Sequence, residues 1–413
     1  MTMGNTSQRT AIVLVTSLFF LWALAHNLNP ILIPHLRKAL QLNDARSALV
    51  DSAFFIAYFV MALPAGAFMK RFGYRRGIVG GLLLFAFGAF LFWPAATMRS
   101  YPFFLGALFI IASGLTFLET AANPYVSVLG DPATAPRRLN FAQAFNGLGA
   151  ALAAFFGGRF ILSGTAPPPA RMQAMDPAAL DAWLTGEALA VRIPYLVIGL
   201  VVLAAAILFM RAHLPEIEEH ESASGQRDAR AWQRLKLGVV AQFCYVGAQV
   251  GVASFFIRFA GQVAGTAEKD AAYLLSIGLL LFMAGRFIGT ALLRWIGAPA
   301  LLAFCALLNI ALVAAAVLLD GYAAVIALLG VELCMSIMFP TIFSLSIHGL
   351  GGDTKLGSSL LVMSIVGGAI VPPIMGAISD RYGLQPAYLV PLVCFVIVLL
   401  FAKTMRKSAR VRE

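Results

Sequence analysis

Charge is scarce in this chain of 413 residues: Asp, Glu, Lys and Arg make up 12%, against a hydrophobic share of 60%. Soluble domains carry roughly 25% charged and 45–50% apolar residues, so a water-soluble fold is the wrong class. Cysteine is scarce as well. Cys244, Cys305, Cys334 and Cys394 all lie inside apolar runs, without the paired spacing of a zinc ribbon or a redox dithiol, and read as small packing residues. The five histidines are scattered, and no loop carries a nucleophile and base, a ligand cluster or a phosphate-binding glycine turn. An enzyme is therefore the least expected class, and neither metal nor organic cofactor is expected.

What is present in abundance is apolar sequence gathered into runs of about twenty residues, the length a helix needs to cross roughly 30 Å of hydrocarbon. Twelve such runs are legible, at about 11–36, 47–70, 77–96, 101–130, 140–163, 191–212, 234–260, 270–294, 297–318, 322–348, 354–378 and 385–405. The expectation is an all-α, multi-pass membrane protein. The first run lacks a small-residue cleavage site and continues to Pro34, which marks it as a retained helix and not a removable signal.

The net charge of +11 sits in short loops, with no basic stripe interleaved with aromatics, so nucleic acid is not an expected partner. If both termini are cytoplasmic, nineteen of the thirty Lys and Arg residues fall inside and nine outside. That bias follows the positive-inside rule and fits a bacterial inner membrane. A polar, highly charged stretch at 213–233 reads as a cytoplasmic linker between two six-helix halves, 1–212 and 234–413. The other long loop, 164–191, opens with Pro167, Pro168 and Pro169 and reads as a small cap over the outer mouth.

Internal repetition supports the same division. Gly66, Lys70, Arg71 and Gly73 close the second span, and Gly376, Asp380, Arg381 and Gly383 close the eleventh at related spacing. The Gly66 to Arg76 stretch resembles the loop signature of the major facilitator superfamily, with Lys70 where the signature has an acid. Lys70 and Arg71 are accordingly candidates for a gate that pairs across the halves. The expected fold is the major facilitator fold, in which inverted repeats of three helices build two halves around a site near the midplane.

Polar residues within spans must be paired or face water. The first span carries His26, Asn27 and Asn29; the fourth Glu119, Thr120 and Asn123; the fifth Asn140, Gln143 and Asn146; the seventh Gln242, Tyr245 and Gln249. Gln143 and Asn146 share a helix face, as do the three residues of the seventh span. Uncharged amides both donate and accept hydrogen bonds, as sugar hydroxyls do. Trp22 or Tyr245 would supply a platform for the apolar face of a sugar ring. For any one amide, bonding between helices is an equally good account. Glu119 stands apart, because a mid-membrane carboxylate either pairs with a cation or takes up a proton. Glu332 is a second such acid, with Arg286 and Arg159 as possible partners.

Five segments, FFLWALAHNLNPILIPHL from Phe19, FLETAANPYVSVLG from Phe117, LNFAQAFN from Leu139, AQFCYVGAQ from Ala241 and MSIMFPTIFSLS from Met335, resemble the fucose permease family of sugar/proton symporters. The resemblance covers almost the whole chain. It implies uptake of a monosaccharide such as fucose, galactose or glucose, driven by protons, through alternating access of two halves in a monomer. It places Glu119 as the coupling carboxylate and Gln143 and Asn146 as the sugar-binding pair, and puts Trp22, Asn27 and Arg286 on matching positions. Two departures stand out. The family's aspartate ahead of the ILIP run is replaced by Asn29-Pro30, and a tyrosine of the tenth span is Phe339. Glu119 acting alone with protons, coupling to sodium, and facilitated diffusion all remain open on the sequence. An exporter would want a less amide-rich path, and a sugar sensor would normally add a soluble domain.

Overall fold

The computed structural model describes residues 5–26, 36, 39–42, 44–160, 175–212 and 228–410, and it is helical throughout. Helix α1 is Asn5–His26, α2 Asp44–Thr97, α3 Tyr101–Val128, α4 Ala135–Phe160, α5 Pro177–Leu189, α6 Arg192–Arg211 and α7 Ala229–Ala264. The second part of the chain forms α8 Glu268–Leu292, α9 Ala298–Leu318, α10 Gly321–Met335, α11 Met338–Ile347, α12 Thr354–Met363, α13 Gly367–Tyr382, α14 Leu384–Ala387 and α15 Leu389–Arg410.

Nine stretches of the described residues are long and apolar enough to cross a bilayer. One of them, Ala53–Thr97, runs for 45 residues and turns back at Gly73, so it crosses twice. With α1 and α4 the crossings number the expected twelve. The Gly73 turn needs φ 85 and ψ 167, a region open essentially to glycine alone. Gly383, between α13 and α15, adopts φ 93 and ψ 167 at the opposite end of the bundle. Two loops at related places in the sequence thus share one backbone geometry, in inverted positions.

Proline shapes the spans from within. In the tenth span Pro340 lacks the N–H that would bond to Ser336, and the helix breaks there into α10 and α11. The eleventh span is likewise divided by a tight turn at Ser364–Val366. Each interruption lies at or beside an apolar residue, Phe339 and Ile365, that packs against both apolar clusters of the described residues. Elsewhere close approach is secured by small residues: a Cβ on Gly114 would lie 2.6 Å from the Gly81 carbonyl and 2.5 Å from the Phe85 nitrogen.

The outer surface is apolar where lipid would lie, as on α6, where Ile193, Val197, Leu200, Val201 and Leu208 are exposed. The turns at one end carry Lys70, Arg71, Arg75, Arg76, Arg137, Arg138 and Arg294, and this is termed the basic end. Within the 164–191 loop, α5 is capped by Asp176, whose carboxylate accepts from the Ala178 N–H at 3.2 Å. Arg99 donates to Asp181 and Thr185 on it. The helix is thereby tied to the turn that follows α2. Most of the 213–233 stretch lies outside the described residues.

Candidate functional site

Tyr58, Glu119, Asn123, Gln143 and Arg286 come together between α2, α3, α4 and α8. Tyr58, on the first arm of α2, donates its hydroxyl to Glu119 Oε1 on α3 at 2.6 Å. Tyr58 is buried and Glu119 is half-buried, so the carboxylate keeps one open side. One turn further along α3, the buried Asn123 accepts at Oδ1 from Gln143 Nε2 of α4 at 3.1 Å. Arg286 reaches over from α8 and donates to the main-chain carbonyl of Gln143 and, at 3.3 Å, to its Oε1. The same guanidinium lies 4.8 Å from the centre of the Phe282 ring. Arg286 and Glu119 attract each other electrostatically without forming an ion pair.

The seam between the chain's two parts is closed at the basic end by contacts that α2, α3 and α4 make with α11 and α12. Pro124 has no N–H to offer the Thr120 carbonyl, which would otherwise close a helical bond. That carbonyl instead accepts from Ser358 Oγ of α12 at 2.9 Å. Asn140 Nδ2 donates to its own helix at Pro136 O, 2.8 Å away, and to Thr341 Oγ1 across the seam at 3.1 Å. Gly66 is pressed so close to α12 that a Cβ would fall 1.9 Å from Ser359 Oγ. Lys355 lies 4.9 Å over the Tyr74 ring.

The remaining candidates divide. Trp22 is buried and packs on Phe19 at 4.2 Å between ring centres. His26 ends α1, with its side chain outside the described residues; Asn27 and Asn29 lie outside them altogether, as does the Arg159 side chain. Asn146 and Gln249 are half-buried. Gln242 is fully buried, and neither of its amide atoms has a hydrogen-bond partner among the described residues.

Several candidates have other partners in this arrangement. Tyr245, expected as a stacking platform, is fully buried, donates to the Met335 carbonyl at 3.1 Å and meets Phe339 edge-on at 6.4 Å. Phe339 itself is the part-exposed aromatic at that place. Lys70 and Arg71 are exposed, and among the described residues they make no bond across the seam. Gly66 and Tyr74 make the contact that those cations were expected to make. Arg75 has a different task, donating to the carbonyls of Phe209 and Met210 in the last turn of α6. Arg286 and Glu332 do not pair in this arrangement.

Sequence reasoning missed Tyr58, which no spacing rule connects to a residue 61 positions away. It also missed Ser358 and Thr341. Pro124, placed four residues after Thr120, was the one available signal that a carbonyl there would seek a partner.

These features define a class: a multi-pass membrane transport protein whose polar centre lies in the seam between helices of its two parts. The chain belongs to the Major Facilitator Superfamily, whose family model matches residues 13–355, and within it to the fucose permease family. It is 45% identical to a glucose/galactose transporter of Brucella abortus biovar 1 (strain 9-941), over 96% of this chain and 94% of that one. It is 43% identical to the L-fucose-proton symporter of Escherichia coli (strain K12), over 96% and 93%. Among solved structures it resembles the superfamily transporter FucP in the outward conformation, with a TM-score of 0.89 and 41% identity over 97% of this chain and 99% of that one. It is a transporter and not an enzyme.

Proposed function

We propose that the protein carries a neutral monosaccharide of the fucose, galactose or glucose type across the membrane together with a proton, by alternating access. The observation that carries this reading is the Tyr58–Glu119 hydrogen bond of 2.6 Å, set beside the amides of Asn123 and Gln143. A carboxylate with one donor and one open side can exchange a proton, and the adjacent amides offer donors and acceptors to hydroxyls. In this reading Glu119 is the coupling carboxylate. Gln143, Asn146, Gln249, Trp22 and, from α1 onward, His26, Asn27 and Asn29 form the sugar side of the site, with Gln242 and Tyr245 beneath it. The proton-coupled relatives favour H+ over Na+ as the driving ion.

The halves are taken as 1–212 and 234–413, joined by 213–233, with the basic end and both termini in the cytoplasm of a bacterial cell, the inner membrane as the site and a monomer as the working unit. Closure at the basic end then makes this the outward-facing state, which agrees with the likeness to FucP in its outward conformation. Reporter fusions at the two termini test the orientation; a non-cytoplasmic signal from either would overturn it.

The experiment for the function is uptake by purified protein in liposomes, with a panel of labelled monosaccharides under a proton gradient, a sodium gradient or neither. Accumulation of a monosaccharide under the proton gradient alone is the expected result. Accumulation driven by sodium, or equilibration without accumulation, would overturn the coupling, and transport of none of these sugars would overturn the substrate class.

A further inference from the structure

A second acid is buried away from the Glu119 site, inside the helices of the C-terminal part. Glu332 on α10 is 2% exposed, and its Oε1 has no hydrogen-bond partner among the described residues. No described cation forms an ion pair with it. It faces α8 at Gly278, where a Cβ would lie 3.3 Å from Glu332 Cγ, so the missing side chain leaves the carboxyl stem its space.

Neither tyrosine hydroxyl within electrostatic reach of Glu332 is free to donate to it. From α7 comes Tyr245, whose hydroxyl hydrogen is spent on the Met335 carbonyl at 3.1 Å. From the start of α15 comes Tyr388, whose hydroxyl donates to the Val252 carbonyl at 3.4 Å. α9 packs along α10 elsewhere: Cys305 faces Cys334, and Asn309 turns its Nδ2 to the Met338 sulfur at 4.0 Å. From α8, Arg286 is bonded to Gln143 across the seam. An ionised carboxylate stripped of water and donors is strongly disfavoured, so in this arrangement Glu332 holds its proton.

Tyr245 lies within electrostatic reach of both Arg286 and Glu332. The bond from Arg286 to Gln143 crosses the seam and must break when the seam opens at the basic end. The freed guanidinium then has one buried acid on its own side of the molecule. We propose that Glu332 is a second proton-binding site of the transport cycle, filled while Gln143 holds Arg286 and emptied when Arg286 is released toward it.

This inference rests on the proton-coupled reading, and its test separates the two. The proton-to-sugar ratio would be measured in liposomes for the wild type, Glu332→Gln and Glu332→Asp. The expected result is a ratio lower by one proton in the Gln variant and restored in the Asp variant. A ratio unchanged in Glu332→Gln would overturn the proposal and leave the symport reading intact. Infrared difference spectra of the purified wild type against Glu332→Gln give a readout that needs no transport. A neutral-carboxyl band at neutral pH that the substitution removes is expected, and its absence from the wild type would overturn the proposal. Failure of the wild type to accumulate sugar under a proton gradient would strike the symport reading itself, whatever the spectra show.

Discussion

The carbonyl that Pro124 leaves empty on Thr120 is filled from across the seam by the hydroxyl of Ser358, at 2.9 Å. A proline inside a span is usually accounted a local defect, repaired by neighbouring helices. Here the repair is the link between two parts of a moving molecule.

Ser358→Ala should therefore weaken closure at the basic end. A net hydrogen bond contributes about 0.5–1.5 kcal/mol, so the equilibrium should move up to about tenfold toward opening at that end. Distances between paired spectroscopic labels across the basic end would read the change. In the Pro124→Ala background a helical N–H returns to Thr120, and the same substitution should then have a smaller effect; equal effects in both backgrounds would show that Ser358 and Pro124 act independently.

Glu119→Gln should abolish proton-driven accumulation while sugar exchange persists, because the amide mimics the protonated acid. Tyr58→Phe removes the one described hydrogen bond to that carboxylate. A hydrogen bond to a charged group is worth about 1.5–3 kcal/mol, so proton-driven uptake should slow by about tenfold or more with exchange less affected. Liposome counterflow and gradient-driven uptake, run side by side, separate the two quantities.

Gln143→Ala strips a donor from Asn123 and an acceptor from Arg286 at once. It should weaken sugar binding more than Asn146→Ala does, since Asn146 makes no described hydrogen bond that would be left unmatched. Calorimetric titration of the two purified variants with the transported sugar tests the order. Equal, undiminished affinities would return both amides to a packing role.

Gly383→Ala forces a side chain into a conformation at φ 93 that costs about 1–3 kcal/mol for a residue other than glycine. The variant should unfold several degrees below the wild type in a detergent melt. Gly297→Ala is the control, because Gly297 has φ −59 and open space around its Cβ position. A melting temperature lowered equally by both would remove backbone strain as the cause.

Much of the architecture could be read from hydropathy alone, because the bilayer fixes the length of every crossing. The expected 101–130 is found as Tyr101–Val128, and 297–318 as Ala298–Leu318. Hydropathy could not find α5, a short piece held by Arg99, nor the breaks in the tenth and eleventh spans, although Pro340 announced the first. The site was legible as a set of residue types and not as a set of partners. Glu119, Gln143 and Asn123 stand out because polar groups in a span need a reason. Their geometry depends on pairings such as Arg286 with Gln143, 143 positions apart, and no local rule reaches that far. Arg286 shows the cost of guessing partners by charge, since its firmest hold is on a neutral carbonyl.

Phe339 and Ile365 pack against both apolar clusters, one of which itself spans the two parts of the chain, while the hydrogen bonds described across the seam lie nearer the basic end. A rocking body of this kind turns about the place where its apolar contacts are shared, and the cluster that spans the two parts is that place. The levers on either side then exchange one set of polar bonds for another, and little apolar area changes hands. Such a balance leaves the two extreme states close in free energy, so that a bound sugar and a proton, each worth only a few kcal/mol, suffice to tip it in either direction.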